Sequence, residues 1–312
     1  MIETLPKFPY FRLFTIHDIT WYRDYYLDNN LNPYSDISPD DLLVWLDYNN
    51  DLMVSELEEA VVLRYTNVLD NNLINIMPLI NPLSDSIIEK VMAYLSSNNL
   101  PLELHEVPAV ICDKLGQDKW LIEDDINSVE YVLNIDQQIL LEGSDFSHQR
   151  NRVKSFEREH LNDLIEVKYY EEIRNEVREA FLNHISTMPL DNSEEVSRIN
   201  IAEPAAIKKS LGYALTFHKK ALIIKINGKI VSLAMVSNLD KNTVGGNFLK
   251  VDCSVRNIFR YTVYQLAKAL KQAGITEINI EQDLGIDGIR SFKKSLSPSR
   301  FLDKKIIRPR HQ

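Results

Sequence analysis

Glycine is scarce in this chain, nine in 312 residues, and so is cysteine, with two. Few glycines leave no Walker or Rossmann pattern, so no backbone cradle for a nucleotide pyrophosphate is expected. Gly285-Ile-Asp-Gly288 is too short to act as a phosphate loop. Cys112 and Cys253 have neither a disulfide framework nor metal-ligand spacing, which fits buried free thiols in a reducing compartment. The seven histidines are scattered, with no HExxH or Cys/His zinc pattern, and no metal site is expected. No Gly-x-Ser-x-Gly elbow is present. No apolar run approaches the roughly 18–20 residues that span a bilayer. The N-terminal residues lack the basic-then-apolar order of a signal peptide. These absences predict a cytoplasmic protein with no tightly bound cofactor.

What is present is acid, and it is unevenly placed. The net charge is −10, which argues against general binding of nucleic acid or anionic membrane. Residues 1–60 carry 12 acids and 3 bases, whereas residues 290–312 carry 8 bases and 1 acid. A basic terminal segment on an acidic protein can still hold a polyanion locally. With 45% apolar and 26% charged residues the chain is globular, and its length suits two domains. We place them at 1–140 and 141–312.

Periodicity predicts helix, strands, helix and strand in each half. In the first, Ile19–Asn30 reads as a helix. Leu42–Leu46, Leu52–Leu57, Ala60–Tyr65 and Leu73–Leu79 read as strands. Ser84 or Asp85 caps a helix to Ser97, Leu102–Val107 is a strand and Pro108–Leu115 a short helix. In the second, a helix begins at Ser147, and Ala221–Ile226 and Lys229–Ser237 form a hairpin over Asn227-Gly228. Gly245-Gly246 suggests a bulge. Asn257–Ala273 is a helix and Phe301–Ile307 a last strand.

Two stretches carry candidate chemistry. In Thr276–Pro298, Ile278 and Ile280 alternate with Glu277, Asn279 and Glu281, so Asn279, Glu281 and Asp283 are expected on one strand face. Asp287 can cap the helix that follows, where Arg290 and Lys293 or Lys294 share a face. The bland alternative is a solvated strand face and a charged surface helix. In the helix from Ser147, Arg150, Lys154 and Arg158 form a ridge at four-residue spacing. It suits phosphate contact or a solvated face paired with Glu157 and Glu159.

Asn279-Ile-Glu281-Gln-Asp283-Leu-Gly285, followed by Gly288-Ile-Arg290-Ser-Phe-Lys293 and Pro298, resembles the signature of the phosphatidylglycerol lysyltransferase C-terminal domain family. Leu141-Glu-Gly143 with His148-Gln-Arg150-Asn151-Arg-Val-Lys154-Ser-Phe156 resembles a second segment of that family. The matches come in the expected order and span most of Tyr131–Ile307. The resemblance implies an α/β fold of two tandem GNAT-like domains, each a mixed, mostly antiparallel sheet flanked by helices. It implies transfer of an aminoacyl group from aminoacyl-tRNA to an acceptor hydroxyl or amine. The acceptor would be a soluble small molecule, a peptide or a lipid headgroup. Glu281, Asp283, Arg290 and Lys293 would be catalytic. Asn279 would bind substrate, and Arg150, Asn151 and Lys154 would stand near the charged tRNA acceptor end.

Two departures shape these expectations. Ser295 stands where lysyl-lipid enzymes of the family tend to carry Lys, which argues against lysine as the transferred group. The position of the acetyl-CoA loop reads Val255-Arg-Asn-Ile-Phe-Arg-Tyr261. It has no glycine, so side chains would crowd a pyrophosphate cradle. Acetyl-CoA-dependent N-acetylation, and a non-catalytic binding module on the same scaffold, are the alternatives.

Overall fold

The computed structural model describes residues 4–46, 51–67, 73–187 and 194–310. These pack as two compact units. The first gathers the described residues of Met1–Val129, Asp191–Ala206 and Leu302–Gln312, and the second those of Glu130–Leu190 and Ile207–Phe301.

The first unit opens with β1 (Arg12–Leu13), α1 (Ile19–Asp28) and α2 (Pro39–Asp41). It continues with β2 (Met53–Leu57), β3 (Ala60–Thr66), β4 (Ile74–Leu79), α3 (Asp85–Ser97), β5 (Leu104–Pro108) and β6 (Trp120–Asp124). Strands β1 to β4 form an antiparallel meander in sequence order. The stretch Leu42–Leu46 is not a strand but a π-helical turn continuing α2. Its first three residues are all buried, so no alternation separates strand from helix there. The deciding signal lies upstream. Pro39 occupies the first turn and the Ser38 hydroxyl accepts from the Asp41 amide, a helix start. Pro108–Leu115 likewise shrinks to a single 3-10 turn, Ala109–Ile111.

Helix α3 starts as its sequence predicts. The Ser84 side chain accepts from the Ile87 amide at 3.4 Å. Ile87, Ile88, Val91 and Leu95 are buried, each contributing roughly 1.5–3 kcal/mol. Removing the cap with Ser84→Ala should cost about 1 kcal/mol. Tryptophan fluorescence during urea unfolding reads this directly. Trp21, Trp45 and Trp120 all lie in the first unit, and the Trp120 indole donates to Asp85 in the first turn of α3.

The second unit contains β7 (Glu130–Asn134), α4 (Ile135–Leu140), α5 (Ser147–Glu159), β8 (Ile165–Tyr170) and α6 (Asn175–Thr187). Next come α7 (Glu194–Gly212), whose residues divide between the units, then β9 (Lys220–Ile226), β10 (Lys229–Asn238) and β11 (Thr243–Val251). It ends with α8 (Ile258–Gln272), β12 (Glu277–Gln282), α9 (Asp287–Ser295) and β13 (Arg300–Leu302). Its sheet has seven strands in the order β13-β7-β12-β11-β10-β9-β8. The β9–β10 hairpin turns at Asn227 (φ 50°) and Gly228 (φ 81°), both left-handed as an Asn-Gly turn requires. Strands β11 and β12 run parallel, which demands a crossover, and α8 supplies it. Eight residues of α8 are buried, and Phe156 of α5 stacks on its Tyr261 at 4.1 Å.

The predicted bulge is present, since between Met235 and Ser237 the partner strand β11 advances one extra residue, from Phe248 to Gly245. Gly246 sits in it. A Cβ there would stand 3.4 Å from the Asn279 carbonyl oxygen, so the small residue lets β12 lie close. The single last strand expected over Phe301–Ile307 is two. After β13, Asp303 interrupts, and β14 (Lys304–Pro309) lies between β5 and β6 in a separate sheet of the first unit.

Candidate active site

The site forms where β12 ends. Strand β12 pairs with β7 as Ile278↔Leu133 and Asn279↔Val132, then resumes at Gln282↔Glu130. One extra residue on β12 makes a second bulge, and Glu281 sits in it with φ 63°. The bulge breaks the two-residue alternation. The expected shared face of Asn279, Glu281 and Asp283 therefore does not hold as a strand pattern. Asn279 and Asp283 are fully buried, whereas Glu281 is half-buried.

The Asn279 side chain fixes the bulge. Its Oδ1 accepts from the Glu281 amide at 2.8 Å, and its Nδ2 donates to Glu130 on β7. Lys293, from α9, donates to the carbonyls of Ile280 and Gln282, each at 2.5 Å. A bulge leaves backbone acceptors outside the ladder, and buried acceptors need partners. The ammonium of Lys293 meets that need, 6.0 Å from the centre of the Tyr131 ring.

Asp283 lies one residue beyond β12. Its Oδ1 accepts from the Gly285 amide at 2.9 Å and from Arg290 Nη2 at 3.0 Å. Its Oδ2 accepts from Arg290 Nε at 2.8 Å and from the Tyr131 hydroxyl. Burial pushes this carboxyl up, but the hydrogen bonds from Arg290, Tyr131 and Gly285 together outweigh it and hold Asp283 below the usual range. Burial, then the bond to Asp283, pushes Tyr131 up to about 12. The bond to Asp283 raises Arg290.

A pH dependence follows. The folded value of Asp283 lies below its unfolded value of about 3.9. Its contribution to stability is therefore complete above that pH and lost as pH falls through the depressed folded value. Wild type and Asp283→Asn should differ most in urea midpoint at neutral pH and converge in acid. A gap of constant size from neutral pH into the acid range would refute the linkage.

The predicted residues therefore fall into two groups. Asn279, Asp283, Arg290 and Lys293 gather around the Glu281 bulge, Asp283 paired with Arg290 and the other two bonded to the backbone of the bulge, with α9 carrying the cations. Asp287 is the first residue of α9 rather than its cap, and Ile286 takes the cap position without a side-chain bond. The other group lies on α5. Arg150 Nη1 donates to the Leu141 carbonyl and, at 3.3 Å, to that of Gly143, which caps the C-terminal end of α4. Asn151, Lys154 and Arg158 are exposed. None of these side chains on α5 is hydrogen-bonded or ion-paired to the β12–α9 cluster among the described residues. Glu130 and Tyr131 escaped the sequence reading. Their signal was a glutamate and a tyrosine opening an apolar strand, which is weak without knowing that β7 adjoins β12. Among the described residues no group of three His, Cys, Asp or Glu could hold a metal ion, and no helix is long and apolar enough to cross a membrane.

This geometry can be set beside known proteins. The family model described as phosphatidylglycerol lysyltransferase, C-terminal, matches residues 38–306. No curated protein is similar enough in sequence to match this chain. A conserved protein of unknown function from Bacteroides thetaiotaomicron VPI-5482 is 18% identical with a TM-score of 0.76, over 98% of this chain and 100% of that one. The C-terminal domain of a putative lysylphosphatidylglycerol synthetase from Agrobacterium fabrum is 11% identical with a TM-score of 0.56, over 93% and 92%. L-PGS from Bacillus licheniformis is 12% identical with a TM-score of 0.51, over 86% and 87%. At these identities the likeness is one of fold, a mixed, largely antiparallel α/β architecture flanked by helices.

Proposed function

This chain belongs to the phosphatidylglycerol lysyltransferase C-terminal family, and from that premise we propose that it transfers an aminoacyl group from aminoacyl-tRNA to an acceptor hydroxyl or amine. The observation that carries the reading is the bulge. It sets Glu281, half-buried and left-handed, two residues before the buried Asp283 carboxylate that pairs with Arg290, inside the matched region.

An aminoacyl ester is already activated, so the protein mainly positions it and assists proton transfer. The acceptor oxygen or nitrogen attacks the ester carbonyl carbon and the new bond forms. The bond to the terminal ribose oxygen breaks, and the acceptor's proton ends on that oxygen. Glu281 is the group that relays this proton or holds the donor's ammonium. Asp283, Arg290 and Lys293 position it, because their polar groups are engaged with one another and with the backbone. Of the α5 residues, Lys154 is exposed and suits phosphate of the acceptor end, while Arg150 shapes the turn beneath it. The acceptor is a soluble small molecule, a peptide or a lipid headgroup, and the setting is cytoplasmic.

The test is a titration of the purified protein with charged tRNA at low salt, where phosphate contacts are strongest. Deacylated tRNA and coenzyme A serve as comparators. Charged tRNA should bind best and weaken steeply with salt. Absence of binding at low salt would overturn the proposal. Thermal protection by coenzyme A alone would favour the acyl-CoA alternative, which Ile258 and Phe259 at the start of α8, with no glycine, argue against.

A further inference from the structure

Helix α9 carries both cations of the site, yet none of its nine residues is buried. By contrast α8 buries eight of fifteen. A nine-residue helix is below the roughly 12–15 residues an isolated helix needs, so α9 depends on what holds it. It is tied to the end of β12 in its first half by Arg290 and in its last turn by Lys293. On the apolar side Phe292 meets Phe259 edge-on at 4.4 Å.

The C-terminal end is held by two buried amides. Gln149, on α5 and 4% exposed, donates from Nε2 to the Ser295 carbonyl at 2.7 Å and to Ser297 Oγ at 2.9 Å. Gln138, on α4 and fully buried, donates to the Leu296 carbonyl at 2.9 Å. Both side-chain oxygens lack a hydrogen-bond partner, so each glutamine acts through its donor alone. Gln138 is itself fixed, since Arg260 of α8 donates to its backbone carbonyl at 3.1 Å. The segments flanking α9 are left-handed at Leu284 (φ 57°), Gly285 (φ 74°) and Ser297 (φ 53°), where the chain turns sharply on either side of the helix.

We propose that Gln138 and Gln149 are positioning residues, a two-amide clamp that sets where α9 stands and so where Arg290 and Lys293 meet the end of β12. The helix stands against Asp283 and the carbonyls of Ile280 and Gln282, and the clamp holds its C-terminal end. Released there, that end loosens and Arg290 and Lys293 shift at the end of β12. Any effect on transfer rests on the transferase reading, whereas the clamp does not.

Backbone hydrogen exchange by mass spectrometry tests it on the full chain, with Gln149→Leu, Gln138→Leu and Ser297→Ala beside wild type. Peptides covering residues 287–297 should exchange about fivefold faster or more in Gln149→Leu, the effect of about one net hydrogen bond on local opening. Peptides from α8 should be unchanged. The Arg290 Nε–H signal in a nitrogen–proton spectrum, sharp in wild type, should broaden in the same variant. Gln149→Glu, which keeps size and loses the donor, should behave like Gln149→Leu. Should Gln138→Leu fail to fold, Gln149→Leu and Ser297→Ala still decide. Unchanged exchange in 287–297, or a rise of equal size in α8, would overturn the clamp. If the clamp result holds while wild type transfers no aminoacyl group to any acceptor, the transferase reading fails and the clamp stands.

Discussion

Arg290→Ala should destabilise the second unit by roughly 1–3 kcal/mol, the usual cost of leaving a buried polar group without its partner. Asp283 is fully buried, whereas the Arg290 side chain is 23% exposed, so solvent screens the pair in part. Without the guanidinium, the carboxylate keeps only the Tyr131 hydroxyl and the Gly285 amide. It must then stay charged in a poor environment or take up a proton. Removing charge from both sides should hurt less than removing one. The double variant Asp283→Asn, Arg290→Met should therefore unfold at a higher urea concentration than Arg290→Ala. Far-ultraviolet circular dichroism or hydrogen exchange is the right probe, because no tryptophan lies in the second unit. Equal midpoints for Arg290→Ala and wild type would show that the pair is ornamental to the fold.

Glu281→Gly should separate stability from activity. A glutamate at φ 63° carries strain on the order of 1 kcal/mol. Glycine adopts that conformation freely but adds unfolded-chain entropy of about 0.5–1 kcal/mol. The two nearly cancel, so the melting temperature should stay level or rise. Transfer should fall by about 100-fold or more, the usual range for losing a proton-relaying group. Glu281→Ala loses the same carboxylate, keeps the strain and avoids the glycine entropy, so it should be no more active than Glu281→Gly and about as stable. Full activity in Glu281→Gly would remove Glu281 from the chemistry and leave the bulge a structural device.

Much of the local structure was legible because its causes lie within a few residues. The Asn227-Gly228 turn, the Ser84 cap, the α8 stripe and the break of β12 into α9 each depend on neighbours in sequence. The site's contents were legible for the same reason, since Asn279 to Lys293 is one continuous strand–turn–helix. Their bonding was not. Asp283 meets Tyr131 across 152 residues and Asn279 meets Glu130 across 149. Periodicity holds no information about which strand adjoins which. Lys293, read as a site cation, bonds two carbonyls, and Arg150, read as a phosphate contact, bonds the carbonyls at the end of α4. An ionised donor goes to the nearest unsatisfied acceptor, and a bulge or a helix end creates acceptors that sequence does not display.

The amino-acid order alone determined most element types, the turn chemistry, the family and the short segment that carries the polar residues. Only the folded chain decided that a one-residue insertion in β12 would place Glu281 in a left-handed bulge, half-buried, while fully burying Asn279 and Asp283. Whether an extra residue forms a bulge or shifts the whole register depends on the partner strand's own hydrogen bonds and side chains. Strand β7 supplies these through Glu130 and Tyr131, from far along the chain.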